Sequence, residues 1–209
     1  MNIENINTAI KNLSAKRKIF HSEADFQFAF AWELQKELPQ AEIRLEYCPA
    51  FAKDMHIDIF VIESGATYPI ELKYKSKKIQ TIDNNDFFSL KNHGAQDINR
   101  HAFLYDVERL EKMKALDKSF SMGYAVMLTN DPLYWRKPLK NASIDEAFKI
   151  HEGKTVFGTL KWSEQAAAGT TKGHNTIVLN NSYVMHWSNF SDIEDVKNGM
   201  FMYNVVEVK

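Results

Sequence analysis

Two acids and one lysine interrupt otherwise apolar stretches of the sequence, at Asp58, Glu71 and Lys73. Glu71 and Lys73 are separated by one residue, so on a β-strand their side chains project from the same face. Carboxylates on two paired strands can bind a hard divalent cation such as Mg²⁺, and the backbone carbonyl of Leu72 could add another oxygen. A neighbouring lysine can hold or help to deprotonate water, or offset the charge of a phosphate. Phosphodiester hydrolysis requires these components.

The residue pattern around these side chains predicts a β-hairpin. Residues 56–62 are apolar and β-branched, residues 68–74 alternate, and Glu63-Ser64-Gly65-Ala66 supplies turn residues between them. The hairpin would place the acid of the first strand across from the acid and the base of the second strand. Positioning of the three side chains therefore depends on this hairpin.

The elements predicted around the hairpin follow from hydrophobic periodicity. In the first two thirds of the chain we expect helices over 2–16, 22–38 and 95–116, strands over 43–50 and 123–129, and a long polar loop over 76–94. In the last third we expect strands over 156–162 and 200–208, a hairpin of 177–179 and 183–187, a short helix near 144–148, and a flexible loop over 165–175. The order predicts an α/β (α+β) fold in which helices flank a central mixed sheet.

The helix expected over 22–38 has a capping signal. Ser22 can cap it, and Glu23 lies in the first turn, where the helix dipole favours an acid. Its apolar stripe would run through Phe26 and Phe30, widened by Trp32. We found no internal repeat or linker, so we expect one domain over 1–209, with a core of about 20–130 and a β-rich C-terminal extension of about 131–209.

The composition narrows the classes of protein that fit. The chain has 209 residues, of which 44% are hydrophobic and 25% charged, as in soluble globular proteins. The net charge of −1 argues against a general nucleic-acid coat, although it leaves room for a local basic patch at Lys73, Lys75, Lys77 and Lys78. The single cysteine, Cys48, excludes an internal disulfide and favours a reducing, cytoplasmic setting.

Several other classes of site lack their sequence signals. The N-terminus has no signal-peptide pattern, and no apolar run approaches the roughly 18 residues of a membrane span. The histidines lack zinc-ligand spacing, and there is no phosphate-binding loop or dinucleotide fingerprint. The sequence therefore predicts no membrane partner, no zinc and no nucleotide cofactor.

The chain resembles the PD-(D/E)XK nuclease superfamily, which has the restriction-endonuclease-like fold. The matching residues are Asp58 in HIDIF and Glu71 and Lys73 in YPIELKYK. The core of that family runs helix, three antiparallel strands, helix, strand, and the order predicted over 22–129 looks like it. Ile57 stands where the family often has proline.

The resemblance extends to the helices on either side of the hairpin. Glu23 is similar to the acid that the family often places on its first core helix as an additional metal ligand, and Gln96 resembles a helix residue that some branches add to the site. Arg100 would share a helix face with Gln96 and could meet a phosphate. His93 and Lys75 are further candidate contacts to substrate.

The resemblance implies a metal-dependent nuclease that cuts nucleic acid, with DNA favoured over RNA as substrate and endonuclease action favoured over exonuclease action. Asp58, Glu71 and the carbonyl of Leu72 would bind Mg²⁺, or Mn²⁺ as a substitute, with Glu23 completing the site, and Lys73 would position the water. Cutting both strands of a duplex often calls for two active sites, so a homodimer is a candidate assembly. One alternative is an inactive protein of the same fold that binds nucleic acid or serves in assembly. Another is an unrelated structural or interaction protein.

Each candidate also has a purely structural interpretation. Asp58 could be an exposed acid on an edge strand, and Glu71 and Lys73 could face solvent on a half-buried sheet. We interpret Asp106 and Arg109, three residues apart on a helix, as a surface ion pair. The aromatic and basic residues at 134–137 and 157–162 could stack bases, but we favour core aromatics with a charged rim.

Overall fold

The computed structural model describes residues 1–139 and 143–209. The helices of these residues are α1 (Ile3–Ser14), α2 (Glu23–Glu37), α3 (Gln96–Leu116), α4 (Pro132–Trp135) and α5 (Ala168–Thr171), with a 3₁₀ turn at Glu146–Phe148. The strands are β1 (Glu42–Tyr47), β2 (Ile57–Glu63), β3 (Ala66–Lys75), β4 (Ile79–Asp83), β5 (Asp86–Leu90), β6 (Gly123–Thr129), β7 (Thr155–Leu160), β8 (Ile177–Val184), β9 (Trp187–Asp192) and β10 (Met200–Val208).

Within the described residues, the central sheet has the strand order β1-β2-β3-β6-β10-β9. β3 and β6 are parallel and are joined by the crossover that contains α3, while the other neighbouring pairs are antiparallel. Helices flank this mixed sheet, which confirms the predicted α/β class. Every residue of β6 is buried, as its continuous apolar sequence indicates.

Within the described residues, the sheet separates two large hydrophobic cores, and a smaller cluster joins Ile57 and Phe60 of β2 to Met113 of α3. On one face α1 and α2 cover it, and Phe26, Phe30 and Leu72 belong to this core. On the other face α3 packs on β6 and is itself covered by the β7–β8 hairpin, so Val107, Met127 and Ile177 lie in one cluster. The face with α3 is also the one from which Glu71 and Lys73 project, because they alternate with Leu72 along β3.

The start of α2 follows from its sequence. Ser22 has an extended backbone, and its side chain accepts a hydrogen bond from the backbone N–H of Asp25, as the capping signal predicts. Phe26 and Phe30 are buried, but Trp32 is 68% exposed, so its assignment to the buried stripe was wrong. The cap fixes where Glu23, the first residue of α2, meets the end of β3.

Three segments predicted as loops or turns contain regular secondary structure. The expected loop over 76–94 contains the β4–β5 hairpin, whose turn residues Asn84 and Asn85 both have positive φ, as a tight two-residue turn requires. In the tail, residues 180–182 do not form a turn, because β8 continues through them to Val184 and pairs with β7. The loop expected over 165–175 contains the short helix α5.

The aromatic residues after β6 belong to the core, as we favoured, since Tyr134 and Trp135 are buried, but Phe157 of the second aromatic segment is 66% exposed and does not. Among the described residues, no helix combines the length and the apolar character that a membrane span needs.

Candidate functional site

The candidate site lies where β2 and β3 separate. Their pairing ends at Ile59 and Ile70, but β3 continues beside β6 as far as Lys75. The part of β3 after Ile70 therefore has one edge that β2 does not cover. We call this position the strand fork.

Two carboxylates accept the backbone N–H groups that β2 leaves unpaired at the strand fork. Oδ2 of Asp58 accepts from the N–H of Leu72 at 2.6 Å, and Oε2 of Glu23 accepts from the N–H of Tyr74 at 2.6 Å. Alternate N–H groups of a strand point to the same edge, so the two acids lie along one edge of β3, two residues apart. The structure thus brings Glu23 of α2 next to the predicted hairpin acid.

Asp58 is fixed from its backbone side as well. The side-chain amide of Gln27 donates to the carbonyl of Asp58 at 2.6 Å and to Oε1 of Glu46 at 2.7 Å. Gln27 is buried on α2, so one helix supplies both the amide that holds the β2 acid and the neighbouring Glu23. This arrangement ties α2 to the fork independently of the hydrophobic core.

Glu71 and Lys73 form ion pairs with α3. Oε1 of Glu71 lies 3.2 Å from Nη1 of Arg109, and Nζ of Lys73 lies 2.5 Å from Oδ2 of Asp106. Nζ of Lys73 also donates to the carbonyl of Leu72 at 3.2 Å. Asp106 and Arg109 contact each other at 3.2 Å. The four charged side chains therefore form one network between β3 and α3.

The interpretation of Asp106 and Arg109 as a surface pair was wrong. Asp106 is 4% exposed, and Arg109 additionally donates to the backbone carbonyl of His56 at the start of β2. The sequence contains a signal for this burial: Asp106 lies three residues after Phe103 and four before Leu110, both of which are buried. An acid within the apolar stripe of a helix faces the core rather than solvent.

Burial changes the protonation of the two candidate metal ligands. Loss of solvent, reinforced by the nearby carboxylate of Asp106, raises the pKa of Glu71 well above its ordinary value, although Arg109 opposes the change. Burial also raises the pKa of Asp58, and the hydrogen bond from Leu72 opposes it. Perturbed carboxylates that cluster in this way are typical of functional sites.

For Lys73, the nearby charges outweigh the effect of burial on the pKa. Burial by itself would lower the pKa of Lys73, but Asp106 outweighs it and, with Glu23 and Asp58, holds that pKa well above its ordinary value. Lys73 is therefore an ammonium group at neutral pH. Of the roles considered for it, offsetting charge and orienting water fit this state, whereas deprotonating water does not.

The remaining predicted residues divide into two groups. Lys75 lies at the fork, with Nζ 3.1 Å from Oε2 of Glu23. His93 lies beside it at the base of the β4–β5 hairpin, where its Nδ1 accepts from the N–H of Ser76 at 3.1 Å.

Gln96 and Arg100 are directed elsewhere. The amide of Gln96 donates to Asp131 at 2.9 Å, and Arg100 forms a buried ion pair with Asp145. Gln96 precedes Asp106 by ten residues, about 15 Å along a helix. Among the described residues, the α3 side chains that form ion pairs at the fork are Asp106 and Arg109.

The donor set fits a hard divalent cation in its chemistry. Asp58 and Glu71 supply carboxylates from neighbouring strands, and Oε1 of Glu71 is a buried oxygen that, although ion-paired with Arg109, receives no hydrogen bond among the described residues. Within residues 1–139 and 143–209, no three His, Cys, Asp or Glu side chains are arranged as a metal-binding group. Mg²⁺ is commonly bound by one or two carboxylates together with waters and substrate phosphates, so two acids suffice for it.

Comparisons of the chain with protein-family models, with curated proteins and with solved structures find no match.

Proposed function

We propose that this chain is a metal-dependent nuclease with a restriction-endonuclease-like fold, which hydrolyses phosphodiester bonds of nucleic acid, in the first place of DNA as an endonuclease. The observation that carries the proposal is the convergence of Asp58, Glu71 and Lys73 at the strand fork. The order α2-β1-β2-β3-α3-β6, with the β4–β5 hairpin inserted between β3 and α3, supports it, because apart from that insertion it matches the order of elements in the family that these residues resemble.

The side chains at the fork have separable tasks in this proposal. Asp58, Glu71 and the carbonyl of Leu72 would hold Mg²⁺ or Mn²⁺, which would supply charge neutralisation at the phosphoryl oxygens. The ammonium group of Lys73 orients water and offsets the charge that develops on the phosphate. Glu23 stands along the same edge of β3 and completes the acidic side of the site.

A second function has one observation in its favour. Lys73 and Arg109 already pair with Asp106 and Glu71, so much of the charge at the fork is balanced by the protein itself. A protein of this fold that binds nucleic acid without cutting it, or that serves in assembly, could keep such a network for stability. A measurement of divalent-cation binding distinguishes the two functions, because the nuclease requires a bound cation and the non-catalytic protein does not.

The first prediction concerns cleavage by the purified chain. We expect cutting of single- or double-stranded DNA in the presence of Mg²⁺ or Mn²⁺, measured with labelled DNA and RNA substrates on denaturing gels. Asp58→Ala and Lys73→Ala should each lower the rate by about 100-fold or more, because each removes an electrostatic stabiliser of the transition state. The matched control is Asp54→Ala, an exposed acid just before β2, which should cut at the normal rate.

Two results would contradict the nuclease proposal. One is the absence of cleavage of any substrate by folded protein with either metal. The other is cleavage that survives Asp58→Ala, since that change removes the ligand on which the proposal depends. Calorimetry can measure the binding of nucleic acid and of divalent cations separately. A chain that binds nucleic acid but no divalent cation would instead support the non-catalytic function.

A further inference from the structure

A cavity of about 300 Å³ adjoins the strand fork. It lies between the start of α2, the end of β3 and the β4–β5 hairpin, and we call it the hairpin cavity. The lining residues used below are Glu23, Lys75, Ser76, Ser89, Lys91 and His93. The hairpin thus provides one wall of a concave surface beside the candidate active site.

The hairpin cavity and the strand fork share residues. Glu23 and Tyr74 line the cavity, and their hydrogen bond is the one that covers the edge of β3 next to Asp58. Tyr74 follows Leu72 by two residues, which is about 7 Å along a strand. A chain of phosphates that passes the fork would therefore also pass the cavity.

The polar groups of the hairpin cavity are mostly donors. Lys75 is paired with Glu23, whereas Lys91 is exposed and makes no ion pair in the part of the chain that the structure describes. His93 uses Nδ1 to accept from Ser76, so its proton is on Nε2, which is left as a donor. With neutral histidine, Lys75 and Lys91 outweigh the single negative charge of Glu23.

We propose that the hairpin cavity binds a phosphate group of the nucleic-acid strand, next to the phosphate that is hydrolysed at the fork. The inference rests on the proposed function and adds a binding site for substrate to it. Lysines bind phosphate as point charges, and neutral N–H and hydroxyl donors complete such sites. The phosphate can belong to the interior of a strand or to its 5′ end, since both present the same oxygens.

The test measures binding without cleavage. Fluorescence anisotropy in EDTA, with a labelled single-stranded DNA, compares the unaltered chain with Lys91→Gln. We expect Lys91→Gln to weaken binding about 3- to 10-fold and to reduce the slope of log K against log salt by about 0.7, the value for one phosphate contact of a single strand. Equal melting temperatures would show that the variant is folded.

Lys118→Gln is the matched control. Lys118 is exposed and lies before β6, where Phe120 bridges Thr67 at the opposite end of β3 from Lys75. Its substitution removes the same charge and should leave both the affinity and the salt slope unchanged. An equal loss in both variants would show only the effect of net charge and would overturn the inference.

Oligonucleotides with and without a 5′-phosphate distinguish the two sources of the ligand. If the unaltered chain prefers the 5′-phosphorylated oligonucleotide and Lys91→Gln removes that preference, the cavity binds the end of a strand. If the unaltered chain binds both oligonucleotides equally and Lys91→Gln weakens both by the same factor, the cavity binds an internal phosphate. The inference is overturned if Lys91→Gln binds the oligonucleotides as tightly as the unaltered chain does. It is also overturned if the unaltered chain binds no nucleic acid.

The cleavage assay separates this inference from the nuclease proposal. Cleavage that depends on Asp58, together with normal binding by Lys91→Gln, would leave the nuclease proposal standing and remove the cavity from it. Weakened binding by Lys91→Gln without any cleavage by the unaltered chain would keep the phosphate site and refute hydrolysis.

Discussion

Glu71 and Lys73 lie two residues apart on β3, and their surroundings disfavour the charged form of Glu71 but favour the charged form of Lys73. Glu71 is buried next to Asp106, which makes its ionisation costly. Lys73 is paired with the same Asp106, which makes its protonation favourable. One aspartate of α3 thus stabilises the cation and destabilises the anion. Burial, reinforced by this effect of Asp106, explains why the pKa of Glu71 is raised although two basic side chains are nearby.

The raised pKa of Glu71 leads to a prediction about stability. The folded chain retains the proton of Glu71 at pH values where the unfolded chain, with an ordinary value of 4.5, has lost it. Stability from this group is therefore present below pH 4.5 and is lost as pH rises toward the folded pKa. We expect Glu71→Gln to be more stable than the unaltered chain at pH 8, by about 0.5–2 kcal/mol, because glutamine has a similar shape and carries no charge that must be buried.

Urea unfolding at pH 5 and pH 8 measures this difference. The gain from Glu71→Gln should be larger at pH 8 than at pH 5, while the exposed control Glu164→Gln should show no gain at either pH. A variant that is less stable than the unaltered chain at pH 8 would show that the ion pair with Arg109 outweighs the cost of burial.

The sequence predicted the residues of β2 and β3 better than it predicted their partners. Asp58, Glu71 and Lys73 could be identified because charges stand out within apolar, alternating strands. Asp106 could not be assigned by the same reasoning, because its spacing to Arg109 also fits an exposed helix pair. Its burial depends on contacts that join residues far apart in the chain.

At the scale of elements, α3 differs from an ordinary surface helix. One side packs on the sheet and another is covered by the β7–β8 hairpin, so several of its charged residues, including Asp106, Glu108 and Glu111, are buried as well. Glu111 of α3 is 6% exposed and accepts hydrogen bonds from the backbone N–H groups of Asn180 and Asn181 and from the hydroxyl of Tyr183. A buried carboxylate thus anchors β8 to the helix that carries Asp106.

Glu111 should therefore be a key residue for stability. Glu111→Ala leaves the buried hydroxyl of Tyr183 and the part-buried N–H groups of Asn180 and Asn181 without this acceptor, and we expect it to cost about 1–3 kcal/mol. Thermal unfolding followed by circular dichroism measures the loss, and limited proteolysis should cut the tail of the variant first. The exposed control Glu164→Ala should unfold like the unaltered chain. A loss below about 1 kcal/mol would mean that the tail is held by its apolar contacts alone.

The sequence predicted elements well where one pattern dominates. The bounds of β6 and β10 match the prediction because their apolar residues are continuous or closely alternating. The β4–β5 hairpin was missed because its exposed face and its Asn84-Asn85 turn resemble a polar loop. The turn in β8 was predicted from Asn180 and Asn181, whose donors are instead bound by Glu111, a contact that no local pattern reveals.

For the whole molecule, the two cores and the fork form one arrangement. α2 supplies Glu23 and Gln27 from one face of the sheet, and α3 supplies Asp106 and Arg109 from the other. The site therefore requires the complete sandwich and not the hairpin alone. The order of the helices and the sheet could be predicted from periodicity, but the convergence of both helices on one fork could not.

This arrangement predicts how a divalent cation changes the stability of the folded chain. Asp58 and Glu71 both have raised pKa values, so protons compete with the cation until the pH rises above those values. Asp106 and Glu23 favour the cation by their charge, and Lys73 and Arg109 oppose it. At a concentration ten times the Kd, Mg²⁺ should stabilise the chain by about 1.4 kcal/mol, which corresponds to about 3–6 °C for a protein of this size.

Differential scanning fluorimetry with and without Mg²⁺ at pH 5.5 and pH 8 tests this prediction without measuring cleavage. The increase in melting temperature should be larger at pH 8 and should disappear in Asp58→Ala, while Asp54→Ala should retain it. If Asp58→Ala shows the full increase in melting temperature, the cation binds at a site other than the strand fork. An increase that is the same at both pH values would mean that the buried carboxylates do not bind the cation, because only their ionisation couples binding to pH.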